Sequence, residues 1–176
     1  PARYEHCTLA NFDPWSAAHK SALEKAMQYC NGYPFLDASE GLGLLLTGSN
    51  GVGKTHLVVA VLRDVVLTKG AGGQFWDFHE LMREIKNSYD TETRTTEYQV
   101  LAPVIETQVL LLDDLGAWRI TDWMNDTLSY ILTRGYLARR PTLITTNYPD
   151  RDVSPRDLEK ADPTIRREYL VDRIGY

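Results

Sequence analysis

Cysteine is scarce in this chain: Cys7 and Cys30 stand far apart among 176 residues, with no CxxC pair. Neither a disulfide framework nor a thiolate zinc cage can be built on that spacing, so both are read as small buried hydrophobes. "HELMR" at 79–83 opens like a zinc-protease helix, but Arg83 stands where the second histidine is needed. Metal chemistry of the His/Cys kind is therefore not expected. Long apolar runs are also missing: none approaches the ~18 residues of a membrane span. The opening "PARYEHCTLANFDPW" shows no charged end followed by an apolar stretch, and the expectation is a cytoplasmic protein that does not enter membranes. Repeats and low-complexity tracts are lacking too. So is an excess of positive charge: the formal net charge is −5, which argues against a protein that coats DNA nonspecifically. The charge is uneven, with 10 basic and 17 acidic residues up to position 133 but 9 and 7 after it. A local basic track is left open.

What is present suits one folded domain. The length is enough to bury roughly two-thirds of the unfolded surface, and 43% hydrophobic with 24% charged residues is ordinary for a globular chain. "DPWSAAHKSALEKAMQYCNG" reads as a helix with Asp13 as N-cap and Pro14 in the first turn, ending at Asn31-Gly32. Apolar runs "GLLLT" (43–47), "GQFWDF" (73–78), "VLLLD" (109–113) and "TLITT" (142–146) read as strands. Between them lie helical stretches: "THLVVAVLRDVVLTKG" closed by Gly70, "HELMREIKNSY", a short piece before Pro103, and "DWMNDTLSYILTRGYLARR" capped by Thr121. "DTETRTTE", 90–97, is read as a loop. Apolar strands alternating with helices predict a three-layer α/β domain with a parallel sheet covered on both faces. Its ligands should gather at the carboxyl ends of the strands. Residues 1–40 are assigned to an arm and helix, and 41–176 to the core.

"GSNGVGKT", 48–55, fits GxxxxGK[ST] between a strand and a helix, the context that a phosphate-binding loop requires. Glycines let backbone N–H groups approach phosphate oxygens, and the helix that follows adds its positive end. The binding stretch is taken to run through Gly48, Ser49, Asn50, Gly51, Val52, Gly53, Lys54, Thr55 and His56. Lys54 would reach the β and γ phosphates of ATP, and the Thr55 hydroxyl would ligate Mg²⁺. The plainer reading is a glycine-rich turn that binds nothing. "VLLLDDLG", 109–116, then supplies an acid at a strand end, Asp113, for the same Mg²⁺. Asp114 falls where many ATPases carry a water-activating glutamate, but aspartate reaches about 1.5 Å less. Either the chain brings it closer or hydrolysis is slow. A solvated strand end is the alternative for both acids.

With "GSNGVGKT", "VLLLDDLG" and "TLITTNYP" in this order, the chain resembles the AAA+ ATPases, in particular the DnaC/DnaI helicase loaders and the related IstB transposition ATPases. "RYEHCTLANFD" is similar to the arm before their ATPase core, and the resemblance covers nearly the whole chain. It implies that Asn147 is sensor 1, reading the γ-phosphate or positioning water. It also implies that Arg173 in "LVDRIGY" is an arginine finger, ahead of Arg166 and Arg167, which makes the site one completed by self-association. The family's fifth strand and sensor 2 arginine would follow Tyr176, so a core truncated before them is expected. The family's helical element between the second and third strands contacts single-stranded DNA. Here Lys86 and Tyr89 in "HELMREIKNSYDTETRTTEYQVLAPV" are the candidate contacts, a solvated face with a packed tyrosine being the alternative.

The function so implied is an ATP-binding and hydrolysing replication protein that loads a hexameric, DnaB-type replicative helicase onto single-stranded DNA, using slow hydrolysis as a switch. An IstB-type transposition helper ATPase is the near alternative. A P-loop small-molecule kinase and a nonhydrolytic nucleotide-binding scaffold are more distant ones.

Overall fold

The computed structural model describes residues 2–36, 42–90, 95–116 and 120–147. Their order is α1 (Ala17–Gly32), β1 (Leu44–Thr47), α2 (Lys54–Lys69), β2 (Gly73–Asp77), α3 (Phe78–Asn87), α4 (Glu97–Glu106), β3 (Val109–Leu115), α5 (Asp122–Leu137) and β4 (Thr142–Thr146). The strands form a parallel sheet in the order β1-β4-β3-β2. Each crossover between parallel neighbours carries at least one helix, as such pairing demands.

The alternation of side chains along the strands explains the layers. Leu111 and Leu143 face α1 and α2, with Val58, Val61 and Val65 of α2 packed against that side. Their neighbours Leu110, Leu112 and Ile144 face α3, α4 and α5, meeting Leu81, Ile85, Leu128 and Ile131. Both faces of β3 and β4 are dry, which is why these strands read as unbroken apolar runs. The arm before α1 belongs to the first of these layers, since Cys7 and Phe12 are buried in it beside Cys30, Leu57 and Val61. The three-layer α/β architecture is thus as expected. Both cysteines are buried and unpaired, also as expected.

Three element boundaries differ from the sequence reading. Helix α1 is capped by Ser16, whose hydroxyl accepts from the His19 N–H at 3.3 Å, and Asp13 and Pro14 lie outside it. Phe12 is committed to the core, which holds the chain around it out of the helix. Helix α4 runs through Pro103 rather than stopping before it. A capping box starts it, with Gln99 N–H donating to the Thr96 hydroxyl and Thr96 N–H to Gln99 Oε1. Burial of Leu101 and Val104 on either side of the proline then outweighs the one backbone bond to Gln99 that the ring forfeits. Strand β3 continues past Asp113 to Leu115, with a register shift against β4 between Leu112 and Leu115. Thr121 caps α5 as expected, accepting from the Met124 N–H. No helix of the described residues is long and apolar enough to cross a membrane.

Candidate functional site

Because the strands are parallel, Thr47, Asp77, Asp113 and Thr146 all deliver their following residues to one edge of the sheet, with Asp77 and Asp113 in direct register. There a cavity of about 380 Å³ opens between the loop after β1 and the ends of β2, β3 and β4. Asn50, Gly51, Gly53, Lys54, Thr55 and His56 line it from the loop side, and Asp113, Asp114 and Asn147 from the sheet side. Gly48, Ser49 and Val52 are not on its wall; they shape the loop through their carbonyls and backbone. The sequence motifs, 93 residues apart at Lys54 and Asn147, are thereby joined.

The loop's geometry follows from its glycines. Gly53 is the N-cap of α2 at φ 92°, in the left-handed region, and makes no side-chain cap bond. The first N–H groups of α2 are thus left without a side-chain acceptor, at the positive end of a 16-residue helix, which is a ready anion site. A Cβ on Gly53 would come within 3.0 Å of the Phe12 ring, so the arm closes on the loop as well. His19 adds a second brace, its Nε2 lying 3.0 Å from the Val52 carbonyl oxygen.

Lys54 spends its three N–H donors inside the protein. Its Nζ donates to the carbonyls of Gly48 (2.8 Å) and Ser49 (2.9 Å) and to Asn147 Oδ1 (2.8 Å). Burial lowers the Lys54 ammonium pKa, and the charges of Asp114 and Asp113 oppose that shift. Asn147 in turn donates from Nδ2 to Asp114 Oδ1 at 3.0 Å. One continuous set of hydrogen bonds therefore links the loop lysine, the residue matched to sensor 1 and the second acid.

The two aspartates are held differently. Asp113 is 3% exposed, and its Oδ1 accepts from Thr145 Oγ1 at 2.6 Å and from Thr55 Oγ1 at 2.9 Å. Burial pushes its carboxyl above the usual carboxylate range; the Thr145 and Thr55 hydroxyls oppose that, and the charges of Asp114 and Asp77 reinforce it. A solvated strand end does not describe it. Asp114 sits at the register shift with φ 58°, a conformation that costs a non-glycine residue about 1 kcal/mol or more. Its N–H donates to Thr145 Oγ1 at 2.8 Å. At the bulge its carboxylate lines the cavity and accepts from Asn147.

Thr145, Asp77 and Tyr4 also line the cavity, and the sequence reading missed all three. Asp77 could have been found from its place at the end of β2. Thr145 lies near the end of β4, two residues before Asn147, a spacing that period-two alternation assigns to the same side. Nothing in the sequence ties Tyr4 to the site. With Asp77, Asp113 and Asp114 against the single charge of Lys54, the wall carries an acidic surplus that a polyphosphate alone would worsen. Oxygen donors around a buried carboxylate fit a hard divalent cation such as Mg²⁺, which Thr55 and Asp113 are placed to share.

The remaining candidates fare unevenly. Lys86 is exposed on the last turn of α3. Tyr89 is 50% exposed, but its hydroxyl donates to Glu97 Oε1 at 2.8 Å and its ring meets Trp123 edge-on. It is therefore anchored to its neighbours as well as open to solvent. Arg166, Arg167 and Arg173 lie outside the described residues. His56 lines the cavity, yet its Nε2 is engaged by Thr8 and Asn11 of the arm. His6, Cys7 and His56, which no sequence spacing groups, come together: one ligand atom of each lies within 4.8 Å of the other two. The fold brings the third residue from far along the chain, which a search for ligands spaced along one segment cannot see.

Comparison with known proteins gives a family. The model of the IstB-like ATP binding proteins matches residues 3–159. The replicative helicase loader DnaI of Bacillus subtilis is 32% identical over 151 residues, 80% of this chain and 45% of that protein. DnaC of Escherichia coli, also a replicative helicase loader, is 24% identical over 144 residues, 82% of this chain and 56% of that protein. The chain thus spans about half the length of these curated relatives. Among solved structures, a DnaC helicase loader superimposes with a TM-score of 0.76 at 34% identity, covering 99% of this chain and 94% of that one.

Proposed function

This chain belongs to the family of IstB-like ATP-binding proteins, with the AAA+ fold of the DnaC/DnaI loaders, and from that premise we propose that it is an ATP-switched loader of a hexameric replicative helicase onto single-stranded DNA. The observation that carries the nucleotide part is the hydrogen-bonded line from Lys54 through Asn147 to Asp114 across the cavity. The likeness to DnaI and DnaC over most of the chain supports the helicase part.

In this reading the polyphosphate of ATP lies along the loop, against the free N–H groups of α2. Lys54 exchanges its internal acceptors for β- and γ-phosphate oxygens. Thr55 and Asp113 hold Mg²⁺, which when bound neutralises phosphate charge. Once Lys54 moves to phosphate, Asn147 Oδ1 is released toward the γ-phosphate while its Nδ2 keeps Asp114 in place. Asp114 then takes the proton of the water that attacks the γ-phosphorus, as the bond to the β-phosphate oxygen breaks. Arg173 of a neighbouring copy is the best candidate to complete the site. Hydrolysis by an aspartate on a strained bulge is slow and serves as a timer for release of the helicase. Exposed Lys86 and the open side of Tyr89 are the proposed DNA contacts.

The match to the IstB-like ATP binding proteins keeps one second reading, implied by the resemblance to IstB transposition ATPases: a transposition helper that engages duplex DNA and a transposase. Sedimentation of the full-length protein with ATP, single-stranded DNA and a hexameric helicase tests between them. ATP-dependent co-sedimentation with helicase is expected. Binding to a transposase with none to the helicase overturns the loader reading.

A further inference from the structure

We propose that His6, Cys7 and His56 form a binding site for a thiophilic divalent cation, Zn²⁺, that fastens the N-terminal arm to the first turn of α2. One ligand atom from each residue lies within 4.8 Å of the other two. The chain has only four histidines and two cysteines, so half of its soft ligands converge on one point. Cys7 Sγ and His6 Nε2 are 3.7 Å apart. Zinc bond lengths of about 2.3 Å to sulfur and 2.0–2.1 Å to nitrogen in a tetrahedron require close to this separation.

The tautomer of the second histidine is set by its neighbours. His56 Nε2 lies 2.9 Å from Asn11 Oδ1 and 3.2 Å from the Thr8 carbonyl oxygen. Both oxygens only accept, so Nε2 carries the hydrogen and Nδ1 keeps the lone pair. A metal-bound imidazole shows the same arrangement, donating its far N–H to a carbonyl. Asn11 is itself fixed, accepting from the Thr8 N–H at 2.9 Å and donating to the His6 carbonyl at 2.7 Å. Thus the residue that orients His56 also holds the backbone of His6.

Sulfur and two imidazole nitrogens select Zn²⁺ over Mg²⁺, which keeps to the oxygen site at Thr55 and Asp113. The group offers three protein ligands among the described residues, and water takes the fourth tetrahedral position. On binding, Zn²⁺ sheds aquo ligands, the Sγ–Zn bond forms, and the Cys7 S–H proton passes to bulk water. His56 directly follows Thr55 and lines the same cavity, so the clamp ties the arm to the edge of the phosphate-binding loop.

The test is a titration of the full chain, free of nucleotide and Mg²⁺, with Co²⁺ as the spectroscopic substitute for Zn²⁺. One equivalent of Co²⁺ should give a thiolate-to-metal charge-transfer band in the near ultraviolet, displaced by equimolar Zn²⁺. The band should vanish in Cys7→Ser, persist in Cys30→Ser, and need more than about tenfold more Co²⁺ in His6→Ala. Absence of the band in folded protein, its survival in Cys7→Ser, or an unchanged midpoint in His6→Ala overturns the site. Cys7 is buried and its variant can misfold, but His6 is exposed, so His6→Ala keeps the test decisive. The readout does not depend on ATP, and failure of the nucleotide reading leaves it intact.

Discussion

Thr145→Val tests whether one hydroxyl organises both acids of the cavity. The side chain is 1% exposed, and valine matches its shape, so what changes is the oxygen. That oxygen donates to Asp113 Oδ1 at 2.6 Å and accepts from the Asp114 N–H at 2.8 Å. Removing a hydrogen bond to a carboxylate costs about 1.5–3 kcal/mol, and leaving a buried N–H without its acceptor about 1–3 kcal/mol more. Thr55 still donates to Asp113 and the Asp114 N–H is only part-buried, which places the expected loss in the lower half of the combined range, about 3–4 kcal/mol. For a chain of this size each kcal/mol lowers Tm by roughly 2–4 °C, so calorimetry of the ligand-free protein should show a fall of about 6–16 °C. Thr145→Ser, which keeps the oxygen, should recover most of it. The Thr145 hydroxyl also opposes the upward shift of Asp113. Its loss should therefore move the pH at which Mg²⁺-dependent ATP binding appears to a higher value. If Thr145→Val unfolds at the wild-type temperature and binds ATP with the wild-type pH profile, the hydroxyl does not hold the acids.

Lys54→Ala should weaken ATP binding by about 100-fold or more, some 2.7 kcal/mol, measured by fluorescent-analogue displacement; unchanged affinity would sink the site assignment as a whole. Asp114→Asn keeps the bond from Asn147 and tolerates the left-handed backbone, so it should bind ATP normally and lose turnover. Persisting turnover would exclude Asp114 as the base. Asp113→Asn gives a pH signature. Burial raises the Asp113 pKa, so the folded protein holds this proton more tightly than the unfolded chain does, and the stabilisation is complete below the usual carboxylate pKa and lost as pH rises through the raised one. The ligand-free variant should lack that loss and melt higher than wild type at neutral pH, while Mg²⁺ no longer strengthens its ATP binding; a lower melting temperature across the whole pH range contradicts this account.

The elements legible in the sequence were those written by local pattern. The four strands, the phosphate loop and the Thr121 cap follow from apolar runs, glycine spacing and cap chemistry, which act over a few residues. At Pro103 the proline's local preference for ending a helix is outweighed by the packing of Leu101 and Val104, which only the tertiary fold provides. Asp114 was placed after the strand because a bulge is a relation between two strands, and Thr145, its partner, is 31 residues away. The arm's contacts to the loop, through Phe12, His19 and His56, were invisible for the same reason. Nucleotide binding could be read early because its motif is contiguous; the cluster at His6, Cys7 and His56 could not, because it is assembled across the fold.

The internal hydrogen bonds of Lys54 tie the loop to the sheet. With its ammonium satisfied by Gly48, Ser49 and Asn147, Lys54 must exchange three good bonds before it can pair with an anion. Only a ligand that offers several oxygens along the loop at once can repay that exchange. Asn147 is bonded to the lysine as well as to Asp114. Asn147 is thus a two-handed coupler, whose amide oxygen is bound to the charge of the loop and whose amide nitrogen is bound to the second acid of the sheet.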